Sequence, residues 1–224
     1  MRPRPTTVLH SLAALALATL ATLATTPPAD AAPTAIRGGN VLYGAAGRCT
    51  VGFNATKGNT YYALMEGRCA DGNRDWYADA ARTVHVGVTE AVRFPGDDYA
   101  VIRYTNPAVS YPGEIDLGGG RHLDVTGAAR PVVGQSLCLA GTTGTRCGRV
   151  LAVNASVSYP EGTVHGVTRA GLCTERGETA GRPAHSGRTA IGVTIGATGD
   201  CASGGESYLQ PVVPALAAFG LTLH

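Results

Sequence analysis

The apolar residues of this chain recur in short alternating groups and do not follow the spacing of an amphipathic helix. Alternation with a period of two places every second side chain on one face of a strand. The pattern predicts strands over residues 83–88, 99–104, 150–153 and 191–194, with turn-rich segments between them such as 57–59, 94–97 and 118–120. Only residues 212–221 have a helical pattern. Many short strands at close intervals predict an all-β sandwich or barrel with a short C-terminal helix.

The N-terminal segment, residues 1–31, has the order of a secretory signal peptide. Arg2 and Arg4 give it a basic start, residues 8–24 form an apolar run, and residues 29–31 offer small side chains for cleavage. No second apolar stretch of membrane-spanning length follows. We therefore expect a secreted protein that is free of the membrane after signal cleavage. Its remaining residues, 32–224, suffice for one compact domain or a pair of small barrels.

Charge and cysteine content narrow the possible partners and cofactors. The formal net charge is only +2 and no basic run follows the signal, so we expect no nucleic-acid partner. Six cysteines in an exported chain predict three disulfides, and fifteen connectivities are open on the residues alone. No histidine or cysteine spacing matches a zinc site, so neither a metal nor another cofactor is predicted. We expect a monomer.

Six stretches, in the same order along the chain, resemble the bacterial chymotrypsin-like serine peptidases of the streptogrisin type. They are "IRGG" at 36–39, "GRCTVGFNATKGNTYYALMEGRCADG", "FPGDDYAVIRYTN", "GTTGTRCGRVLAVNASVSY", "CTERGETAGRPAHSGRTAIGVT" and "GGESYLQPVVPAL". The resemblance implies two six-stranded antiparallel β-barrels, roughly residues 36–125 and 126–224, with the functional site in the cleft between them. It also implies the disulfides Cys49–Cys69, Cys138–Cys147 and Cys173–Cys201.

The resemblance places two residues of the catalytic triad in the first barrel. The family histidine lies in a T-A-G-H-C sequence, and the matching stretch here is MEGRC, with Arg68 in place of the histidine. A guanidinium stays protonated and has no acceptor nitrogen, so Arg68 cannot take a proton from a nucleophile. Asp98 matches the family aspartate, and we expect it to form an ion pair with Arg68.

The nucleophile loop also departs from the family pattern. The family sequence G-D-S-G-G-P corresponds here to GETAGRP, which puts Thr179 at the serine and inserts Arg182 before the proline. A threonine hydroxyl can act as a nucleophile, but its methyl group crowds the turn and it still needs a base. Ala180 adds a Cβ where the family has glycine. The resemblance implies that the oxyanion hole consists of the amides of Gly177 and Thr179.

Two supporting positions differ as well. The family strand that lines the specificity pocket reads serine-glycine-glycine, and the matching substrate-binding residues here are Ile195, Gly196 and Ala197. An aliphatic Ile195 cannot give the aspartate the hydrogen bond that the family serine provides. The family arginine that follows the third cysteine is replaced by Leu139, so Glu178 must find another partner, for which Arg176 and Arg182 are available.

These changes together predict a secreted, non-catalytic homologue that binds a peptide, an inhibitor or another protein ligand in the inter-barrel cleft. The competing hypothesis is a weak or altered endopeptidase in which Thr179 is activated by an unrecognised base or by water. His185 is a poor substitute base, because the resemblance places it on the outgoing strand, on the wrong side of the cleft. Only a few residues separate the signal from Ile36, where the family usually has a long pro-region, and this agrees with a chain that needs no restraint of activity. A gene product without a selected role is a third possibility.

Overall fold

The structure is a computed structural model that describes residues 1, 35–141, 144–175, 178 and 180–224. The predicted signal peptide, apart from Met1, lies outside the described residues. Gly177 and Thr179 also lie outside them. No helix within the described ranges is long and apolar enough to span a membrane.

Strands dominate the structure, as the alternating pattern predicts. In chain order they are β1 (Val41–Tyr43), β2 (Arg48–Thr50), β3 (Phe53–Lys57), β4 (Thr60–Met65), β5 (Asp75–Tyr77), β6 (His85–Arg93), β7 (Tyr99–Tyr104), β8 (Glu114–Gly118), β9 (Arg121–Asp124), β10 (Gly127–Ala128), β11 (Ser136–Leu139), β12 (Arg146–Tyr159), β13 (Gly162–Ala170), β14 (Pro183–Ser186), β15 (Thr189–Asp200), β16 (Gly204–Pro211) and β17 (Thr222–Leu223). The helices are α1 (Gly67–Ala70) and α2 (Val212–Phe219).

The first sheet is built from the N-terminal half of the domain. Its strand order is β17-β3-β4-β7-β6-β5-β1-β2, so the C-terminal strand returns to pair with β3. Strand β7 lies between β4 and β6 and is buried along most of its length. The side chain of Trp76 is fully buried in this half of the core, and its indole Nε1 donates a hydrogen bond to Thr89 Oγ1 over 2.8 Å.

The second sheet closes on itself. Its order is β10-β15-β14-β11-β12-β13-β16, and an additional pairing joins β15 to β16. Strands β15, β14, β11, β12, β13 and β16 therefore form a ring of six antiparallel strands, which confirms the predicted six-stranded barrel. Strand β10 adds a short parallel pairing to β15. The first sheet has eight strands, because short pieces such as β1, β2 and β17 extend it.

The predicted strands and helix are confirmed, although most of them are longer or shorter than the sequence pattern. Residues 150–153 form only the middle of β12. The rest of this strand has many polar side chains, so a search for alternating apolar residues does not predict it as strand. The register of β12 against β13 shifts three times, and Asn154 has a positive φ of 56° within it. The predicted helix at 212–221 ends at Phe219, because Gly220 adopts the left-handed conformation and terminates it.

The three disulfides pair as the resemblance implies: Cys49–Cys69, Cys138–Cys147 and Cys173–Cys201. The first joins β2 to α1, the short helix that includes Arg68. The second is a cross-strand link between β11 and β12. The cysteine framework thus fixes the segments that meet at the predicted site.

Candidate functional site

Helix α1 lies directly against strand β7, which begins at Tyr99, the residue that follows Asp98. A Cβ at Gly67 would lie 2.7 Å from Tyr99 N and 2.8 Å from Arg93 O, so only glycine allows this close approach. The disulfide at Cys69 tethers the same helix from its other side. The chain therefore brings positions 68 and 98 together, as the resemblance predicts.

Asp98 is completely buried and is held by backbone groups. The Arg68 backbone N–H donates to Asp98 Oδ1 over 2.7 Å, and the Asp98 N–H donates to Gln210 Oε1 over 3.2 Å. Asp98 Oδ2 is buried and has no hydrogen-bond partner within the described part of the chain. This agrees with the absence of a serine hydroxyl at Ile195. Burial raises the pKa of Asp98 to about 6, although the hydrogen bonds from the Arg68 and Gly67 backbones act in the opposite direction.

The predicted ion pair between Arg68 and Asp98 does not form. The Arg68 guanidinium instead lies with Nε 3.8 Å from Glu66 Oε1, and its Cζ lies 4.6 Å from the centre of the Tyr159 ring. Its side chain is 43% exposed, whereas Asp98 is buried beneath the α1 backbone. Drawing the guanidinium down to Asp98 would remove it from water, and an ion pair often fails to compensate for that desolvation.

Glu66 is the residue of this site that sequence reasoning missed. Its side chain is only 1% exposed, and neither carboxylate oxygen has a hydrogen-bond partner among the residues that the structure describes. Burial raises the pKa of Glu66 well above its ordinary value, the negative charge of Asp98 raises it further, and Arg68 opposes both effects. The signal was present in the sequence, since Glu66 occupies the alanine position of the T-A-G-H-C pattern. The site thus contains two buried carboxyl groups close to each other and one half-exposed guanidinium.

The nucleophile loop is anchored on the first sheet beside position 179. Thr50 N–H donates to Ala180 O over 3.2 Å, and Gly181 N–H donates to Thr194 O over 2.8 Å. Gly181 has a φ of +89°, and a Cβ on it would lie 2.7 Å from Thr50 O. The glycine that this turn needs for its conformation is therefore present at 181. The predicted nucleophile position Thr179 and the predicted oxyanion donors Gly177 and Thr179 lie outside the described residues.

Two arginines of the described ranges bind Glu178. Arg182 Nη1 lies 3.1 Å from Glu178 Oε2, which confirms one of the two predicted partners, and Arg146 Nη1 lies 2.7 Å from each carboxylate oxygen. Arg146 is paired across the β11–β12 ladder with Leu139, so the neighbouring strand supplies the arginine that the family places at 139. Burial alone would raise the pKa of Glu178, but the hydrogen bonds and charges of these partners outweigh it and hold the pKa below its ordinary value.

The inserted Arg182 is buried and connects several segments of the second barrel through hydrogen bonds. Its side chain is only 3% exposed, and besides Glu178 it donates from Nε to Ala140 O over 3.2 Å and from Nη2 to Gly144 O over 2.8 Å. Its backbone N–H donates to Thr194 Oγ1 over 2.8 Å. The insertion therefore joins the nucleophile loop to two other segments of the second barrel.

A pocket of about 230 Å³ opens beside this loop. Its described lining consists of Thr174, Glu175, Glu178, Ala180, Thr194, Gly196, Ala197 and Gly199. Two of the predicted substrate-binding residues, Gly196 and Ala197, are in this lining. Ile195 is not, because its side chain packs in the core with Val164 and Val167. The Ile195 carbonyl oxygen accepts a hydrogen bond from the Tyr159 hydroxyl over 2.7 Å.

The comparisons with known proteins agree with this architecture. The chain is 38% identical to glutamyl endopeptidase 2 of Streptomyces griseus over 191 residues, 84% of this chain and 100% of that protein. It is 36% identical to streptogrisin-A of the same organism over 84% of this chain, which spans 61% of that relative. The solved structure described as alpha-lytic protease homolog N4 is 78% identical, with a TM-score of 0.82 over 85% of this chain and 100% of that one. No family model matches the chain. The chain belongs to the streptogrisin-type, chymotrypsin-like serine peptidases.

Streptogrisin-type chemistry needs an imidazole between the aspartate and the nucleophile, and no histidine of the described ranges is bound to Asp98. His85 pairs with Asp75, His165 pairs with Ser156, and His185 Nδ1–H donates to the Gly187 carbonyl oxygen over 2.8 Å. His185 Nε2 is buried and has no hydrogen-bond partner among the described residues, and burial lowers the pKa of its imidazole. Among the described residues, Asp98 and a pocket beside the loop at Gly181 lie where the resemblance predicts them, and Arg68 lies where it predicts the histidine.

Proposed function

We propose that this chain is a secreted, non-catalytic streptogrisin-type homologue that binds a peptide or protein segment in the cleft between its two sheets. One observation carries the proposal: the Arg68 backbone holds Asp98, while the Arg68 side chain is a cation at the position where a base is required. A guanidinium cannot accept the proton of a hydroxyl nucleophile. A peptidase of this type would therefore lack its general base.

The buried carboxyl groups do not replace that base in the described geometry. Glu66 and Asp98 are buried at 1% and 0% exposure, so neither presents an oxygen to the cleft surface. A general base must come within hydrogen-bond reach of the proton that it removes. The half-exposed group at this point of the cleft is the guanidinium.

Peptide binding is supported by the edge of β15. This strand pairs with β14 through Val193, and Thr194 bonds to Gly181 and Arg182. Beyond Thr194 that edge has no strand partner within the described ranges, while the opposite edge pairs with β16 as far as Asp200. An extended peptide can add to such an edge through backbone hydrogen bonds, with one side chain in the adjacent pocket.

The glutamyl preference in the name of one relative is not proposed for this chain. The described lining of the pocket contains Glu175 and Glu178 and no histidine. Although Arg146 and Arg182 neutralise Glu178, the Glu175 carboxylate would repel an anionic side chain.

A turnover assay tests the proposal. We expect the secreted protein to cleave neither casein nor a panel of chromogenic peptides, and to be labelled by a fluorophosphonate no more than its Thr179→Ala variant. Turnover that disappears in Thr179→Ala would contradict the proposal and support the endopeptidase alternative. A matched control is an active streptogrisin in the same assay, which fixes the detection limit.

A further inference from the structure

The Arg68 guanidinium is an unused cation in the cleft. It makes no hydrogen bond within the described residues, and its ion-pair contact to Glu66 is long, at 3.8 Å from Nε. A guanidinium has five N–H donors arranged in a planar fork. Since the side chain is 43% exposed, these donors are open to a ligand.

Tyr159 holds this guanidinium next to the pocket. The Arg68 Cζ lies over the Tyr159 ring, 4.6 Å from its centre. The Tyr159 hydroxyl donates a hydrogen bond to Ile195 O over 2.7 Å. A Cβ on Gly196, which lines the pocket, would lie 3.2 Å from the same hydroxyl. The Tyr159 side chain thus contacts the Arg68 guanidinium with its ring face and reaches the backbone at the pocket wall with its hydroxyl.

The neighbouring acids leave the guanidinium charge available. The groups that face it are Glu66 and Asp98 from the first sheet and Tyr159, with Glu161 near that ring, from the β12–β13 hairpin. Burial raises the pKa values of Glu66 and Asp98, so both carboxyl groups are protonated, and therefore neutral, at higher pH than usual. The Tyr159 ring presents its π face to the cation and orients the planar fork.

We propose that the cleft binds peptides by their free C-terminal carboxylate. Two N–H groups of Arg68 donate hydrogen bonds to this carboxylate, and the last side chain of the peptide enters the pocket beside Gly196 and Ala197. This inference rests on the proposed function and names its ligand class. Carboxylates are the groups that a guanidinium fork matches bidentately. The residue that removes the catalytic base thereby provides the recognition group.

A pair of matched probes tests this inference. Degenerate, fluorescein-labelled hexapeptide pools that end in Leu, Phe, Lys or Glu are each made with a free C-terminal carboxylate and with a carboxamide. Binding to the full secreted protein is measured by fluorescence anisotropy at one pH. We expect at least one carboxylate pool to bind roughly ten- to a hundredfold more tightly than its carboxamide, the usual range for a charged hydrogen-bonded pair.

Three variants assign the effect to Arg68. Arg68→Gln should abolish the preference for the carboxylate, and Arg68→Lys should keep part of it, because lysine retains the charge but not the fork. Arg121→Gln removes the same charge from the β8–β9 hairpin and should leave the preference unchanged. Thermal midpoints verify that each variant is folded.

The outcomes separate this inference from the proposed function. Equal binding of carboxylate and carboxamide pools, or a preference that survives Arg68→Gln, overturns the carboxylate inference but leaves peptide binding intact. Absence of binding by every pool overturns both. Cleavage of the carboxamide pools overturns the non-catalytic proposal alone, provided that the carboxylate preference still depends on Arg68.

Discussion

At the scale of single residues, the site combines a half-exposed cation with two buried acids. Arg68 differs from the histidine that the resemblance predicts at its position in charge, in length and in the absence of an acceptor nitrogen. Glu66 adds a carboxyl group that makes no hydrogen bond within the described structure. Such a buried, unpartnered group costs folding free energy when it is ionised. The two buried acids, Glu66 and Asp98, are therefore expected to affect how stability depends on pH.

Stability should fall as pH rises through the folded-state pKa values of these acids. The folded pKa of Asp98, about 6, lies above its ordinary value of 3.8, so the folded state binds more protons between these limits. Asp98 thus contributes stability below about pH 4 that is lost above about pH 6, on the order of 3 kcal/mol. Glu66 acts in the same direction. We expect Glu66→Gln to stabilise the protein at pH 8 more than at pH 5, as measured by chemical denaturation.

Glu161→Gln is the matched control, because Glu161 is exposed and lies on the β12–β13 connection. It should change stability little at either pH. A Glu66→Gln variant that is equally or less stable than the parent at pH 8 would show that the Glu66 carboxylate is satisfied in solution.

At the scale of elements, the predicted nucleophile loop is held by one arginine of strand β12 and by one arginine of the loop itself. Arg146 on β12 and the inserted Arg182 both bind Glu178, and Arg182 also bonds to two carbonyl groups of the 140–144 segment. The loop is thus joined to β11 and β12 by an internal network. Removing one member of a buried network leaves its partners without compensation.

We expect Arg182→Met to destabilise the protein by roughly 3 kcal/mol, because it leaves the Ala140 and Gly144 carbonyls without these donors. Urea denaturation with a constant m-value would measure the loss. Arg130→Met, at an exposed arginine, is the control and should change stability by less than about 0.5 kcal/mol. Equal effects of the two substitutions would mean that the hydrogen bonds of Arg182 contribute no more to stability than an ordinary surface arginine does.

At the scale of the whole molecule, the chain has the family fold, and several residues at the predicted site differ from the family pattern on which the resemblance rests. The closed second barrel, the three disulfides and the pocket are those of a streptogrisin-type protein. The changes at 66, 68, 182 and 195 involve both sheets and contact different neighbours. Activity therefore should not return when the triad side chains alone are restored.

The double variant Arg68→His, Thr179→Ser tests this expectation. Its kcat/KM on chromogenic peptides should remain at least about a hundredfold below that of a streptogrisin, because the Asp98 Oδ2 hydrogen bond is still missing and Glu66 remains beside the new imidazole. Adding Glu66→Ala and Ile195→Ser should raise the rate. Full activity in the double variant would refute the view that the supporting residues matter.

The sequence predicted more of the fold than of the side-chain contacts. Alternation in stretches such as 99–104 predicted strands, and the order of motifs predicted the disulfides and the approach of position 68 to Asp98. It failed for the Arg68–Asp98 ion pair and for Ile195 as a pocket residue, because each depends on burial and on side-chain direction. It also missed Arg146, which reaches Glu178 only through the register of β11 against β12.

The amino-acid sequence by itself determined that residue 68, where the resemblance places the base, is an arginine that cannot accept a proton, since the chemistry of a guanidinium is independent of the fold. Only the tertiary structure decided where that guanidinium points, which acids lie beside it and what their pKa values become. The physical reason is desolvation. Burial of Asp98 and Glu66 and partial exposure of Arg68 follow from the packing of α1 against β7, and that packing is a property of the whole chain.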